Sequence, residues 1–369
     1  NPGNDSAPTL SPDGAMLAYL HSRGRGEQTD VRVVGLAADG SFRGIPRNLT
    51  DDWDLTPSSP SWTATGDAVR FLAGVGGNRH VFEVDATGEL IRQVTTGDRH
   101  VGSVSVTSDG LVMAYTVTDD ITPTELFVNR GDGGLQQRVT SFNDAWLSQR
   151  NLQSAERLTW TVTDGTEIEG WLVKPVGYRE GQRYPLIVAI HGGPAGADIL
   201  RFNGGYSAQV YAGAGYAVLK PNYRGSVNYG NAHRTDIVGD YFTLGFDDIM
   251  TGVDYLVDEG IVDPDRMGAL GWSAGGHWSN WILTHTDRFK AISSGAGTMN
   301  WISMYAQSDV QRNRQFYIGD DFLYENFEPY WDQSPLKYIA NANTPTMIHV
   351  VEGDPRVPSP QSVELHMAL

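Results

Sequence analysis

Apolar and polar positions change rhythm once along this chain, near residue 155. Before that point, short β-rich runs at 31–34, 80–85 and 125–129 alternate with turn phrases that recur. Ser11-Pro12-Asp13-Gly14 leads into the run at 15–19, Ala64-Thr65-Gly66 into 67–71, and Thr107-Ser108-Asp109-Gly110 into 111–115. Each reads as a tight turn feeding a strand, with the glycine free to take a positive φ. A second phrase, Asn48-Leu49-Thr50, Gln93-Val94-Thr95 and Arg138-Val139-Thr140, returns at intervals of 45 residues. That period, with several short strands in each repeat, predicts β-propeller blades. About three blades are visible, fewer than the roughly 4–8 that close a ring. Residues 1–150 are therefore expected to be the C-terminal blades of an incomplete propeller. The alternative for the same pattern is an irregular antiparallel sandwich.

After residue 155 the period changes. Runs at 156–163 and 167–174 flank Asp164-Gly165 and predict a hairpin. Short apolar runs follow at 186–190, 217–220, 267–270, 291–293 and 347–351, and helical spacing appears at 246–259 and 276–286. Strands alternating with helices predict a mostly parallel sheet with helices on both faces. Residues 151–369 are expected to form this second domain, an α/β hydrolase.

Composition narrows the function classes. The chain has 369 residues, a net charge of −17 and no cysteine. Of that charge, −7 falls in residues 1–150 and −10 in the remainder, so neither part offers a basic face to nucleic acid or anionic lipid. Ten Trp, 16 Tyr and 12 Phe supply enough burial drive to argue against disorder. No apolar run approaches the ~20 residues that span a bilayer. Without cysteine there are no disulfides, thiolate metal sites or cysteine nucleophiles. The histidines show no metal-binding spacing and there is no phosphate loop, so neither a metal nor a cofactor is expected.

The candidate chemistry sits at predicted strand ends. Gly271-Trp272-Ser273-Ala274-Gly275 follows the run at 267–270 and opens a helix. This is the pattern of a nucleophile elbow, in which a strained strand-to-helix turn exposes the serine Oγ above the sheet. The pentapeptide alone is a weak signal, and a structural turn is its plain reading; the placement between strand and helix strengthens it. His191-Gly192-Gly193-Pro194 follows the run at 186–190, where this fold draws its second oxyanion donor. The expected donors are the backbone N–H groups of Gly193 and Ala274. His191 reads as a structural loop histidine rather than a base. Glu352-Gly353-Asp354-Pro355-Arg356-Val357-Pro358 follows the last predicted strand. The chain order serine, acid, histidine makes Asp354 the expected triad acid, with Glu352 its local competitor.

The segments HGGPAG at 191–196, PNYRGSVNYG at 221–230, GWSAGG at 271–276 and GDPRVPSPQS at 353–362 resemble the prolyl oligopeptidase family of serine peptidases, chiefly its acylaminoacyl-peptidase and dipeptidyl-peptidase-like bacterial members. The resemblance covers residues 155–369, and the blade-like repeats agree with that family's N-terminal propeller. It implies Ser273 as nucleophile, Asp354 as acid, and Gly193 and Ala274 as oxyanion donors. It departs from the family where Ala274 replaces a frequent tyrosine and His277 a frequent aromatic residue.

The triad also needs a general base. Of nine histidines only His366 follows Asp354, in a stretch at 361–369 that reads as a helix. His366 and His277 are the alternatives within the chain. The expectation is that the triad histidine lies outside these residues, so that the chain is a fragment lacking both ends and is inactive alone. The resemblance implies hydrolysis of short peptides through an acyl-enzyme, the propeller screening access. Rival readings are a carboxylesterase of the same fold and a propeller binding module with a degenerate hydrolase domain. The expected partner is a short peptide substrate, with neither nucleic acid nor membrane.

Overall fold

The computed structural model describes residues 3–130, 135–202 and 208–369. It divides into two compact units. One holds residues 1–150 with the short stretches 199–202 and 227–231; the other holds 151–198, 203–226 and 232–369.

The first unit is built from antiparallel meanders. β1 (Asn4–Leu10), β2 (Met16–Ser22), β3 (Thr29–Leu36) and β4 (Phe42–Asn48) pair in sequence order as one four-stranded sheet. β5 (Pro57–Trp62), β6 (Ala68–Val75), β7 (Asn78–Asp85) and β8 (Ile91–Gln93) form a second. β9 (His100–Val106), β10 (Val112–Thr118), β11 (Glu125–Arg130) and β12 (Gln137–Arg138) form a third, which touches the second where Arg79 pairs with His100.

Side-chain alternation explains why these sheets stack. Successive residues of a strand face opposite ways. On β6 and β7, Phe71 and Phe82 pack with Ala18, Leu20, Val31 and Val33 of the first sheet. Their neighbours Leu72 and Val81 pack with Val101, Met113, Tyr115 and Val117 of the third. The middle sheet is thus buried on both faces by its neighbours, as a propeller blade must be. The acidic turn at Asp51-Asp52-Trp53-Asp54 contributes Trp53 to this core, against Phe71 and Phe82.

The second unit is a seven-stranded sheet. Its strands are β13 (Ala155–Thr161), β14 (Glu167–Val173), β15 (Tyr184–Ile190), β16 (Ala217–Pro221), β17 (Val262–Trp272), β18 (Ala291–Gly295) and β19 (Thr346–His349). They lie in the order β13-β14-β16-β15-β17-β18-β19. The predicted hairpin supplies the antiparallel edge, and β16 to β19 with β15 are parallel. The helices Thr243–Asp258 and Ala274–His285 start two or three residues earlier than their sequence patterns suggest. The last strand ends at His349, so Val350 and Val351, expected to continue it, belong to the following loop. The core between sheet and helices is aromatic, with Trp160, Tyr223, Tyr241, Phe242, Trp278 and Trp301 buried. The chain therefore combines propeller blades with an α/β-hydrolase sheet.

Candidate active site

Strand β17 delivers Ser273 to the carboxyl edge of the sheet, and the helix Ala274–His285 begins at the next residue. Ser273 has φ 58° and ψ −120°, a backbone conformation that costs a non-glycine residue about 1–3 kcal/mol. Neighbouring structure holds it there. The Ser273 N–H donates to the Gly295 carbonyl on β18 at 2.9 Å, and its carbonyl accepts the His277 N–H at 2.9 Å. A Cβ on Gly271 would run into the Gly275 backbone, and a Cβ on Gly275 into the Ile190 carbonyl oxygen. The two glycines thus allow the strand, the helix and β15 to close around a sharp turn. Ser273 is half-buried, and the helix N-terminus behind it carries partial positive charge.

The loop after β15 lies against this turn. A Cβ placed on Gly192 would be 2.9 Å from the Trp272 carbonyl oxygen, 3.4 Å from Ser273 Cβ and 3.9 Å from the Ala274 nitrogen. Gly193, with φ 137°, follows directly. The N–H groups of Gly193 and Ala274 donate to no acceptor among the described residues. Two N–H groups left open beside a serine are what an oxyanion needs.

His191 braces that loop. Its ring is buried and stacks on Tyr223 with centroids 4.5 Å apart. Nδ1 lies 2.9 Å from the Gly192 carbonyl oxygen and Nε2 lies 2.9 Å from Ser226 Oγ. Burial holds its pKa below the usual value. The Tyr223 hydroxyl donates to the His191 carbonyl at 3.0 Å. Arg224, next in the chain, is buried and grips Asp248 through Nε and Nη2, the latter at 2.7 Å, and also pairs with Asp164. Sequence reasoning valued this segment only as a resemblance. Its role as the loop's support had no local signal, because its partners Asp164 and Asp248 lie 60 and 24 residues away.

Asp354 occupies the loop after β19, half-buried. Its Oδ1 accepts the N–H groups of Arg356 at 2.8 Å and Val357 at 3.2 Å. Its rival Glu352 is exposed. β18 lies between β17 and β19, which puts the axes of the serine and acid strands ~10 Å apart. Serine and acid are therefore not in hydrogen-bond contact.

No described histidine ring bonds to the side chain of either. His277 is fully buried, where Nδ1 accepts the Thr298 N–H at 2.8 Å, and burial with the Arg314 charge lowers its pKa well below the usual value. His366 sits exposed on the helix Pro360–Ala368. His349 ends β19 with Nε2 at 3.0 Å from Ser293 Oγ. No cluster of three or more potential metal ligands occurs among the described residues. No helix among them is long and apolar enough to cross a membrane.

The chain is similar to several known proteins. Residues 202–369 match the family model described as the prolyl oligopeptidase family. The chain is 32% identical over 313 residues to the uncharacterized peptidase YuxL of Bacillus subtilis, covering 84% of this chain and 47% of that protein. It is 28% identical over 365 residues to dipeptidyl-peptidase 5 of Porphyromonas gingivalis, covering 98% and 53% respectively. The acylaminoacyl peptidase of Pyrococcus horikoshii superposes with a TM-score of 0.85 at 26% identity, over 99% of this chain and 56% of that one. The chain spans about half the length of the curated relatives it matches.

Proposed function

We propose that this chain, which belongs to the prolyl oligopeptidase family, carries the acylating half of a serine peptidase site acting on short peptides. Ser273 is the proposed nucleophile. It attacks the scissile carbonyl, the N–H groups of Gly193 and Ala274 receive the developing oxyanion, and the amine leaves an acyl-serine that water then hydrolyses. Asp354 is the proposed orienting acid: its Oδ1 is engaged by two backbone N–H groups, which leaves Oδ2 for an imidazole. None of the nine histidine rings is bonded to the side chain of serine or acid, so the proposed base is a histidine supplied from outside these residues.

One observation carries the reading. Ser273 is a non-glycine residue held at φ 58° between two glycines that cannot accept a Cβ, with two unengaged N–H groups beside it. Backbone strain maintained at such cost fits a reactive serine better than a plain turn. Peptide rather than ester substrates are proposed on the strength of the relatives' names. The proposed domain division is propeller blades over 1–150 and hydrolase over 151–369.

The test compares amide and ester hydrolysis by the intact protein and its Ser273→Ala variant. Removal of the nucleophile is expected to lower kcat on an amino-acid or dipeptide arylamide by about 10⁴-fold or more. Ester turnover exceeding amide turnover, or amide turnover that survives the substitution, would sink the peptidase reading.

A further inference from the structure

Arg314 is a buried cation that no carboxylate pairs among the described residues. It lies on the helix Gln311–Ile318 and is 4% exposed. Its Nη2 donates to the Arg356 carbonyl oxygen at 3.4 Å, and its Nε meets no acceptor. Asp309 exerts an attractive field on it, but that carboxylate is paired with Arg356 at 3.4 Å, and Arg356 itself repels Arg314. Charges taken out of water are ordinarily paired.

The surroundings supply further donors and, among the described residues, no carboxylate in contact with Arg314. Tyr317, one turn along the same helix, meets the Tyr241 ring with centroids 5.7 Å apart. The Tyr241 hydroxyl is buried without a partner, and burial raises its pKa, so it remains a protonated donor. The rings of Trp278 and Trp301 contact Tyr241 at 5.6 and 5.4 Å, and their Nε1–H groups are also unpaired. His277, 5.4 Å from Trp301, is kept neutral and already accepts the Thr298 N–H, so it adds no negative charge. Arg314 and Tyr241 feel each other's charge, so one positive charge and several unpaired donor hydrogens lie in the same buried region. A water molecule could accept from some of them, but it would bring hydrogens needing acceptors of their own and would leave the charge uncompensated. A monatomic anion accepts from the donors and neutralises the charge.

We propose that Arg314 and Tyr241 hold a small inorganic monoanion, a halide, beneath the loop that carries Asp354 and Arg356. Arg314 reaches that loop through the Arg356 carbonyl, which Ser308 Oγ also binds at 2.8 Å. The anion therefore fixes the support of the loop and touches no reacting atom.

The test has two arms. Thermal unfolding is followed in sodium chloride, sodium bromide and sodium gluconate at equal ionic strength. Both halides are expected to raise Tm over gluconate by about 2–4 °C in a saturable way. The rise is expected to vanish in Arg314→Met and to need at least fivefold more halide in Tyr241→Phe. In the second arm, crystals of the unsubstituted protein soaked in bromide are expected to show an anomalous peak within hydrogen-bond distance of Arg314 Nε and Tyr241 Oη. This arm stands even if Arg314→Met does not fold. Coincident halide and gluconate curves, or density at the site without anomalous signal, would overturn the proposal.

Discussion

The blade turns of the first unit and the Ser273 turn of the second are made in opposite ways. In the propeller blades each turn satisfies itself. Between β1 and β2, Ser11 Oγ donates to Asp13 Oδ1 at 2.6 Å and accepts the Met16 N–H at 2.9 Å. The β9–β10 turn repeats this: Thr107 Oγ1 donates to Asp109 Oδ1 and accepts the Val112 N–H at 3.0 Å. Thr63 does the same with Asp67 and Ala68 between β5 and β6. The elbow at Ser273 has no such local support. Its N–H is held by Gly295 on another strand, and its form depends on β15, β17 and the helix closing around two glycines. A turn made by nearby side chains is written in a short phrase and tolerates change around it. A turn made by tertiary packing stores strain, and it exists only while the surrounding core is intact.

Substitutions can break or sharpen this contrast, and the largest effect is expected at the elbow. Gly275→Ala drives a methyl group into the Ile190 carbonyl, and a destabilisation of about 3 kcal/mol or more is expected from urea unfolding, with loss of Ser273 reactivity. A mild effect there would mean that the turn relaxes locally, like those of the blades. Next comes the support behind the loop that follows β15. Asp248→Ala leaves Arg224 buried without its bidentate partner, which is expected to cost about 3–5 kcal/mol. Fluorescence-detected denaturation of the variant would measure it.

Acid is expected to act on the blades through histidine. Burial, joined by Arg99 for His80 and by Arg79 and Arg201 for His100, lowers both pKa values to about 4. Both are neutral in the folded unit at pH values where the unfolded chain takes up protons. Their stabilising contribution is whole above about pH 6.5 and is lost as pH falls through about 4. Protection factors of the β6 and β7 amides, taken relative to intrinsic exchange at each pH, should fall over that window, and His100→Gln should flatten part of the dependence. The smallest effect is expected at a blade turn: Thr63→Val removes the three local hydrogen bonds of its hydroxyl and should cost about 1 kcal/mol by calorimetry.

The same contrast governs what could be read from the residues. Blade turns, the strand-to-helix serine and the apolar runs of the sheet are local patterns, and each appeared near its expected place. Strand ends were less legible: Val350 and Val351 look like strand but have left the sheet. Asp263 to Arg266 lies inside β17, where the register with β15 shifts, and no apolar run marks that part of the strand. The supports of the site were not legible at all. Tyr223 under His191, Arg224 with Asp248 and Arg314 beneath the acid loop depend on partners far along the chain. No period or motif marks such pairings, because folding alone brings them together.

The reactivity of Ser273 is the decisive property, and a fluorophosphonate probe applied to the intact protein reads it out. Mass spectrometry of the labelled protein is predicted to find one phosphonylated residue, Ser273, with labelling abolished in Ser273→Ala and strongly slowed in Asp354→Asn. Peptide hydrolysis that persists while Ser273 remains unlabelled, or a label on another serine, would contradict it.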